Sequence, residues 1–263
     1  MTFLQAIFLG AVQGITEFLP VSSSAHVTIF SKLFGISHHE KVFDIFLNSG
    51  TLLAIIIFFR KQMWKLLLGS LDFIGNRKTT SRYFFVTILL SSLPTITVFG
   101  ILEIVFNISI NSEIILAGAL ILFGVVLYFC DQSQTHRKNI SRKDSLLIGF
   151  VQPLSFIPGV SRLGICLSMM RYLKYSREES FRYCMMLSTI PVLGACFLQL
   201  TKIFTGEILV ESWPIVVVGS FSAFISGWIS LSLMTEFLKS HTLLAIIIYR
   251  ILLGTHIFLL KLI

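Results

Sequence analysis

The sequence predicts an all-α polytopic membrane protein, with six transmembrane helices plus two re-entrant helical hairpins in an inverted-topology repeat. Three observations carry this. First, 55% of the 263 residues are hydrophobic, only 13% are charged, and mean hydropathy is +0.86; a soluble domain carries about 25% charged residues. Second, apolar runs near the roughly 20 residues needed to cross a bilayer recur along the chain. Third, two apolar segments are interrupted by polar residues, at 13–26 and at 158–162. Placing Gln152 on Gln13 puts Val160-Ser161-Arg162 on Val21-Ser22-Ser23, at the same offset of 139 residues.

The Met-Thr-Phe-Leu-Gln start has neither a basic n-region nor a small-residue cleavage site, so it is not read as a signal peptide. Residues 3–12 predict a helix that carries Gln13 and Glu17 on one face, one turn apart. Pro20 stops or kinks it. Ser22–Ser24 offer an N-cap for a second short helix over about 24–35. Each arm is shorter than a bilayer of about 30 Å requires. The pair is therefore read as a re-entrant hairpin, tolerated at membrane depth only if buried in protein or lining a wet cavity.

Residues 43–59 predict a span ended by Arg60-Lys61, followed by a basic loop to Arg82. Residues 83–103 form a second span, with a kink expected at Pro94. Residues 113–130 form a third, with Gly118 and Gly124 for close helix contact. The polar, basic stretch 131–144 is the midpoint. Asp144 caps the next helix, which opens a second interrupted segment, 145–172. Spans follow at 182–201 (with Pro191), 214–237 and 242–260. The chain is thus one integral domain, with repeats over about 1–130 and 144–263.

An odd number of crossings per half inverts one half relative to the other, which puts a binding site at the midplane where the breaks meet. The loops 60–82, 131–144 and 171–182 hold most of the 21 Lys and Arg residues. They are read as cytoplasmic, with both termini on the outer face. Counting both hairpins as full crossing pairs raises the number of crossings above six and leaves these loops on the same side. The net charge of +8 follows from this asymmetry and requires no nucleic acid partner. The four cysteines lack metal-ligand spacing and read as small buried hydrophobes. His38-His39 falls in an outer loop and reads as solvated.

Ionisable groups inside a membrane mark functional sites by default. Glu17 with Gln13 reads either as a polar pair between helices or as part of a site for a hard cation, Mg²⁺ or Ca²⁺, which prefers oxygen ligands. Water and substrate oxygens would complete it. Ser22, Ser23 and Ser24 are either a turn and cap or, with the free N–H groups of a helix start, a cradle for an anion. One hydroxyl could be a nucleophile if a base lies in reach, and His26 could be that base or an acid. Arg162 suits bidentate phosphate binding, or it pairs with Glu17. Arg250 neutralises a carboxylate such as Glu236 or faces the phosphate. These residues leave two activities open: phosphate chemistry on a lipid, or transport of an anion.

Gln13-Gly-Ile-Thr-Glu17-Phe-Leu-Pro-Val-Ser-Ser-Ser-Ala-His26 resembles the (E/Q)GxTEFLPVSS(S/T)GH signature of the bacterial undecaprenyl-diphosphatase family, also called bacitracin-resistance proteins. Pro158-Gly-Val-Ser-Arg162-Leu-Gly164 resembles its PGxSRSG signature. Asp144, Gln152 and the Phe43–Ala54 stretch fit as well. The resemblance implies two inverted repeats with a site opening to the outer face of the cytoplasmic membrane. It implies cation-dependent hydrolysis of undecaprenyl diphosphate to undecaprenyl phosphate and inorganic phosphate. That reaction recycles the lipid carrier of peptidoglycan synthesis and confers bacitracin resistance.

By position, the resemblance makes Gln13 and Glu17 the pair that holds metal or water. Ser23 becomes the nucleophile, with Ser22 as donor. His26 becomes base or acid, or the nucleophile instead. Ser161 and Arg162 clamp the phosphates, with Ser24 in the cradle. The expected partners are the lipid diphosphate and membrane lipids, and a homodimer is compatible with them. Ala25, Asn48, Leu163 and Cys166 depart from the pattern without removing a proposed site group. The runner-up is a transporter or flippase of a polyprenyl phosphate, which needs the arginine and the broken helices but no nucleophile.

Overall fold

A computed structural model of the chain describes residues 1–36, 41–101, 112–135, 137, 139–207, 210 and 212–262. Among these, helices carry the architecture: α1 (Phe3–Glu17), α2 (Ser23–Leu33), α3 (Lys41–Phe58), α4 (Arg60–Ile74), α5 (Thr80–Gly100), α6 (Glu113–Asp131), α7 (Arg142–Val151), α8 (Arg162–Tyr172), α9 (Arg177–Phe204), α10 (Trp213–Ser240) and α11 (Leu244–Leu262). A 3₁₀ turn, Gln152–Phe156, joins α7 to the break before α8. Among the described residues five helices (α5, α6, α9, α10 and α11) are long and apolar enough to cross a membrane. The sixth expected span, α3, reaches that standard only together with α4, from which it is bent by 91°. His38-His39 and the end of the expected span 83–103 lie outside the described residues.

The expected basic loop after Arg60 is a correction: it begins with helix α4. Trp64, Leu67, Leu68, Leu71 and Ile74 recur at helical spacing along it and are exposed. Gly69 brings α4 against α5, since a Cβ there would lie 2.2 Å from the Ser81 carbonyl oxygen. Of the two glycines expected to allow close helix contact in α6, Gly124 faces the side chain of Ile251, but nothing lies within 4 Å of a Cβ added at Gly118. Asp144 is not the cap itself. Ser141 is the N-cap of α7, and Asp144, three residues on, completes a reciprocal capping box.

Small residues and hydroxyls set the packing of α1 on α10. A Cβ at Gly14 would lie 2.0 Å from Ser226 Oγ and 2.5 Å from the Ala223 carbonyl oxygen. Ser222 Oγ donates to the Ile7 carbonyl at 2.7 Å, and Ser230 Oγ donates to that of Ile15 at 2.9 Å. Such contacts hold helices together where lipid removes the hydrophobic drive. Large apolar side chains such as Leu122, Phe129, Phe221, Leu233 and Leu252 stay exposed. That surface suits lipid rather than water.

The basic stretches 131–144 and 171–177 meet at one end of the bundle. Asp131 is buried and accepts from Arg171 Nε at 3.2 Å, Arg177 Nε at 2.7 Å and the Leu243 backbone N–H at 3.2 Å. Beside it, Asp144 accepts from Ser141, Arg137 and the Tyr175 hydroxyl.

The two short helices that follow the breaks match residue for residue. At the offset of 139, α2 coincides with α8, each with 11 residues. Both N-cap serines take positive φ, 71° at Ser22 and 67° at Ser161. Gly35 and Lys174, at the same offset just past the two helices, take φ of 67° and 70°.

Candidate active site

The first turn places its polar groups through α1. Gln13 Nε2 donates to Glu17 Oε2 at 3.0 Å and to Asn48 Oδ1 at 3.1 Å. α1 ends at Glu17 and α2 starts at Ser23. Across this break Ser23 Oγ donates to Glu17 Oε2 at 2.5 Å. Ser22 occupies the N-cap position expected from the sequence, but its hydroxyl makes no capping bond. It lies 3.3 Å from Ser24 Oγ instead. The second turn is capped in the usual way, Ser161 Oγ accepting from the Gly164 backbone N–H at 3.1 Å.

Both turns open on one cavity of about 240 Å³. Gln13, Glu17 and the three serines line it from the first turn, and Ser161 and Arg162 from the second. Asp44 and Asn48 of α3 and Ser155 of the 3₁₀ turn complete the polar lining. The first residues of both α2 and α8 thus face one space, and helix N-termini favour anions. Arg162 Nη1 is buried without a hydrogen-bond partner. Among the described residues no ion pair joins Arg162 to Glu17, so the expected alternative of a direct pair is not realised. A buried, unpaired guanidinium donor beside two helix starts suits a phosphate group.

His26 is buried but is not among the residues that line this cavity. Its Nδ1 lies 2.8 Å from the Ser22 carbonyl oxygen and its Nε2 lies 2.7 Å from the Tyr249 hydroxyl. Arg250 also differs from expectation. Glu236 pairs with Lys239 at 2.6 Å, and fully buried Arg250 donates to backbone carbonyls. Its acceptors are Pro20 (3.0 Å), Leu120 (3.0 Å), Gly159 (2.7 Å), Val160 (2.6 Å) and, at 3.5 Å, Ala119. One side chain therefore ties both breaks to α6.

A second cavity, of about 270 Å³, adjoins the first and shares Asn48, Ser155 and Arg162 with it. Its remaining wall is largely apolar, including Ile45, Ile96, Ile190, Ala195 and Leu198. A polar chamber thus continues into an apolar one across Arg162.

Among the described residues no group of three or more His, Cys, Asp or Glu is placed to hold a metal ion. The donors in the polar cavity are oxygens: the carboxylates of Glu17 and Asp44, and the amide oxygen of Gln13, whose nitrogen is already engaged. That set fits a hard cation that keeps several waters and takes its other ligands from phosphate.

Sequence reasoning missed Asp44, Ser155 and Tyr249, as well as the carbonyl-binding role of Arg250. Asp44 had one available signal, since it lies four residues before Asn48 on the same helix face. Tyr249 had no local signal.

A family model described as "Bacitracin resistance protein BacA" matches residues 6–256. The chain is similar to an undecaprenyl-diphosphatase of Nocardioides sp., 34% identical with 96% of this chain and 94% of the relative covered. It is likewise similar to an undecaprenyl-diphosphatase of Elusimicrobium minutum (32%, covering 97% and 96%) and to one of Pelotomaculum thermopropionicum (34%, covering 97% and 95%).

Proposed function

The chain belongs to the bacitracin resistance protein BacA family, and on that premise we propose that it hydrolyses undecaprenyl diphosphate to undecaprenyl phosphate and inorganic phosphate. The observation that carries the reading is the Ser23 hydroxyl held on the Glu17 carboxylate at 2.5 Å, in a cavity that also holds Arg162. A serine becomes a nucleophile when a base takes its proton, and in this arrangement the base is Glu17.

Ser23 Oγ attacks the terminal phosphorus and its proton passes to Glu17. The bond from that phosphorus to the bridging oxygen breaks, and undecaprenyl phosphate leaves. Water then cleaves the phosphoserine ester and frees inorganic phosphate. Arg162 and the N–H groups at the starts of α2 and α8 neutralise charge on the transferring phosphoryl group. A Mg²⁺ or Ca²⁺ ion, held by Glu17, Gln13 and Asp44, would add positive charge beside the diphosphate. The apolar cavity beyond Arg162 takes the first isoprene units of the lipid.

The frame for this site is an inverted repeat with two re-entrant hairpins, α1–α2 and α7–α8. The match of α2 to α8 in length and in both terminal φ angles supports it. The basic loops at the Asp131 end are cytoplasmic by the excess of Lys and Arg. The cavity then opens to the outer face, where it serves recycling of the lipid carrier for peptidoglycan and hence bacitracin resistance.

The test is phosphate release from undecaprenyl diphosphate by purified protein after chelation, with Mg²⁺ or Ca²⁺ restored. Release that returns with the ion supports the reading. No release under any ion, with movement of polyprenyl phosphate across vesicles, would favour a transporter.

A further inference from the structure

We propose that Tyr249 is a positioning residue of this site. Its hydroxyl donates to Nε2 of His26 and anchors the ring, and His26 in turn holds, through Nδ1–H, the Ser22 carbonyl and the turn from which Ser23 is aimed.

The hydrogen-bond directions follow from the partners. The Ser22 carbonyl only accepts, so Nδ1, 2.8 Å away, carries the proton. In the neutral ring Nε2 then bears a lone pair, and the Tyr249 O–H, at 2.7 Å, donates to it. The two rings stack with centroids 5.8 Å apart and planes 20° apart. His26 is buried, whereas Tyr249 is 47% exposed. The tyrosine therefore reaches in from the rim with its hydroxyl.

The two turns show why the first needs this support. Both N-cap serines hold a positive φ that an L-residue rarely adopts. Ser161 secures its turn with its own hydroxyl, which accepts from Gly164 N–H. Ser22 does not, because its hydroxyl faces Ser24 and the cavity. The imidazole of His26 supplies the missing restraint by gripping the Ser22 backbone. At the offset of 139, His26 falls on Ile165, so this support exists only at the turn that carries Ser23. The next residue of α11, Arg250, grips the Pro20 carbonyl at 3.0 Å. Neighbouring side chains of one helix thus hold the first turn at two points.

The catalytic part of this inference rests on the diphosphatase reading, whereas the tautomer part does not. The substitution is Tyr249→Phe, which keeps the ring and removes the hydroxyl. In the parent protein, ¹⁵N spectra of the histidine rings should show His26 as the Nδ1–H tautomer, the signal being assigned by its loss in His26→Asn. Tyr249→Phe should keep that tautomer, which the Ser22 carbonyl sets, and shift the Nε2 resonance, whose lone pair has lost its donor. Its kcat for undecaprenyl diphosphate should fall about tenfold, the loss of roughly one hydrogen bond. KM should change by less than about twofold, because no substrate contact is lost. In a His26→Ala background, Tyr249→Phe should add no further loss, the signature of residues acting as one unit. An unchanged Nε2 resonance with full kcat, or additive losses in the double variant, would overturn the proposal. If the parent protein releases no phosphate, the diphosphatase reading fails while the ring spectra still decide the tautomer.

Discussion

Ser23 donates to Glu17 across the break between α1 and α2, with 2.5 Å between Oγ and Oε2. The same carboxylate oxygen accepts from Gln13 Nε2, so the proposed base is oriented from its own helix before substrate arrives. Glu17→Gln keeps the shape and removes the base. Phosphate release should fall about 100- to 10,000-fold, the usual range for a general base, with folded yield preserved. A loss below threefold in steady-state kinetics would remove Glu17 from that role.

Arg162 presents a buried, unpaired Nη1 to the space between the turns. Arg162→Lys keeps a positive charge but loses the planar fork. The kcat/KM for undecaprenyl diphosphate should drop about 100- to 1,000-fold, as for loss of one donor to developing charge. Parent-like kcat/KM would show that only charge matters there.

Gly14 and Gly118 should part company. A Cβ at Gly14 meets Ser226 Oγ at 2.0 Å and backbone at 2.5 Å, whereas Gly118 faces open space. Gly14→Val should destabilise the α1–α10 contact by about 1–3 kcal/mol or more, and the thermal midpoint in detergent should fall. Gly118→Ala should be neutral or gain up to about 1 kcal/mol from helix propensity. Equal midpoints for the two variants would contradict the α1–α10 packing.

Asp144 supplies a pH test at the far end of the bundle. Burial alone would raise its pKa, but hydrogen bonds from Ser141, Tyr175 and Arg137 outweigh that and hold it below the ordinary carboxylate value. Burial first, then Asp144 itself, pushes the Tyr175 phenol up, so Tyr175 remains a donor. The folded form thus binds the Asp144 proton more weakly than the unfolded chain does. The stability it contributes is present above the unfolded value, about 4. It is lost as pH falls through the lower folded value. The thermal midpoint should hold from pH 7 to 5 and fall below about pH 4. Asp144→Asn should lower the midpoint at pH 7 and flatten that acid limb. An unchanged acid limb would remove Asp144 from the account.

The parts of the site legible in the sequence were those whose chemistry clashed with its setting. Glu17, the serines and Arg162 stand out because polar groups interrupt apolar runs, and the long helices follow from hydropathy alone. One offset of 139 residues relates Gln13 to Gln152 and Ser22 to Ser161, and the same offset relates α2 to α8. In α4 the basic residues Arg60, Lys61 and Lys65 interrupt the apolar period, so its sequence reads as a loop. Adjacency alone places His26 in the serine cavity. Its ring instead turns back to the Ser22 carbonyl and outward to Tyr249, 223 residues away. Arg250 read as a charge needing a counter-charge, but its guanidinium is satisfied by carbonyls freed where helices break. Such partners exist only once the helices have packed.

The most direct test of the central claim compares phosphate release from undecaprenyl diphosphate by the purified protein and by Ser23→Ala, with a divalent cation present. The account predicts steady release by the parent and loss of at least about 1,000-fold in Ser23→Ala, as expected when an attacking hydroxyl is removed. Full release by Ser23→Ala would contradict it.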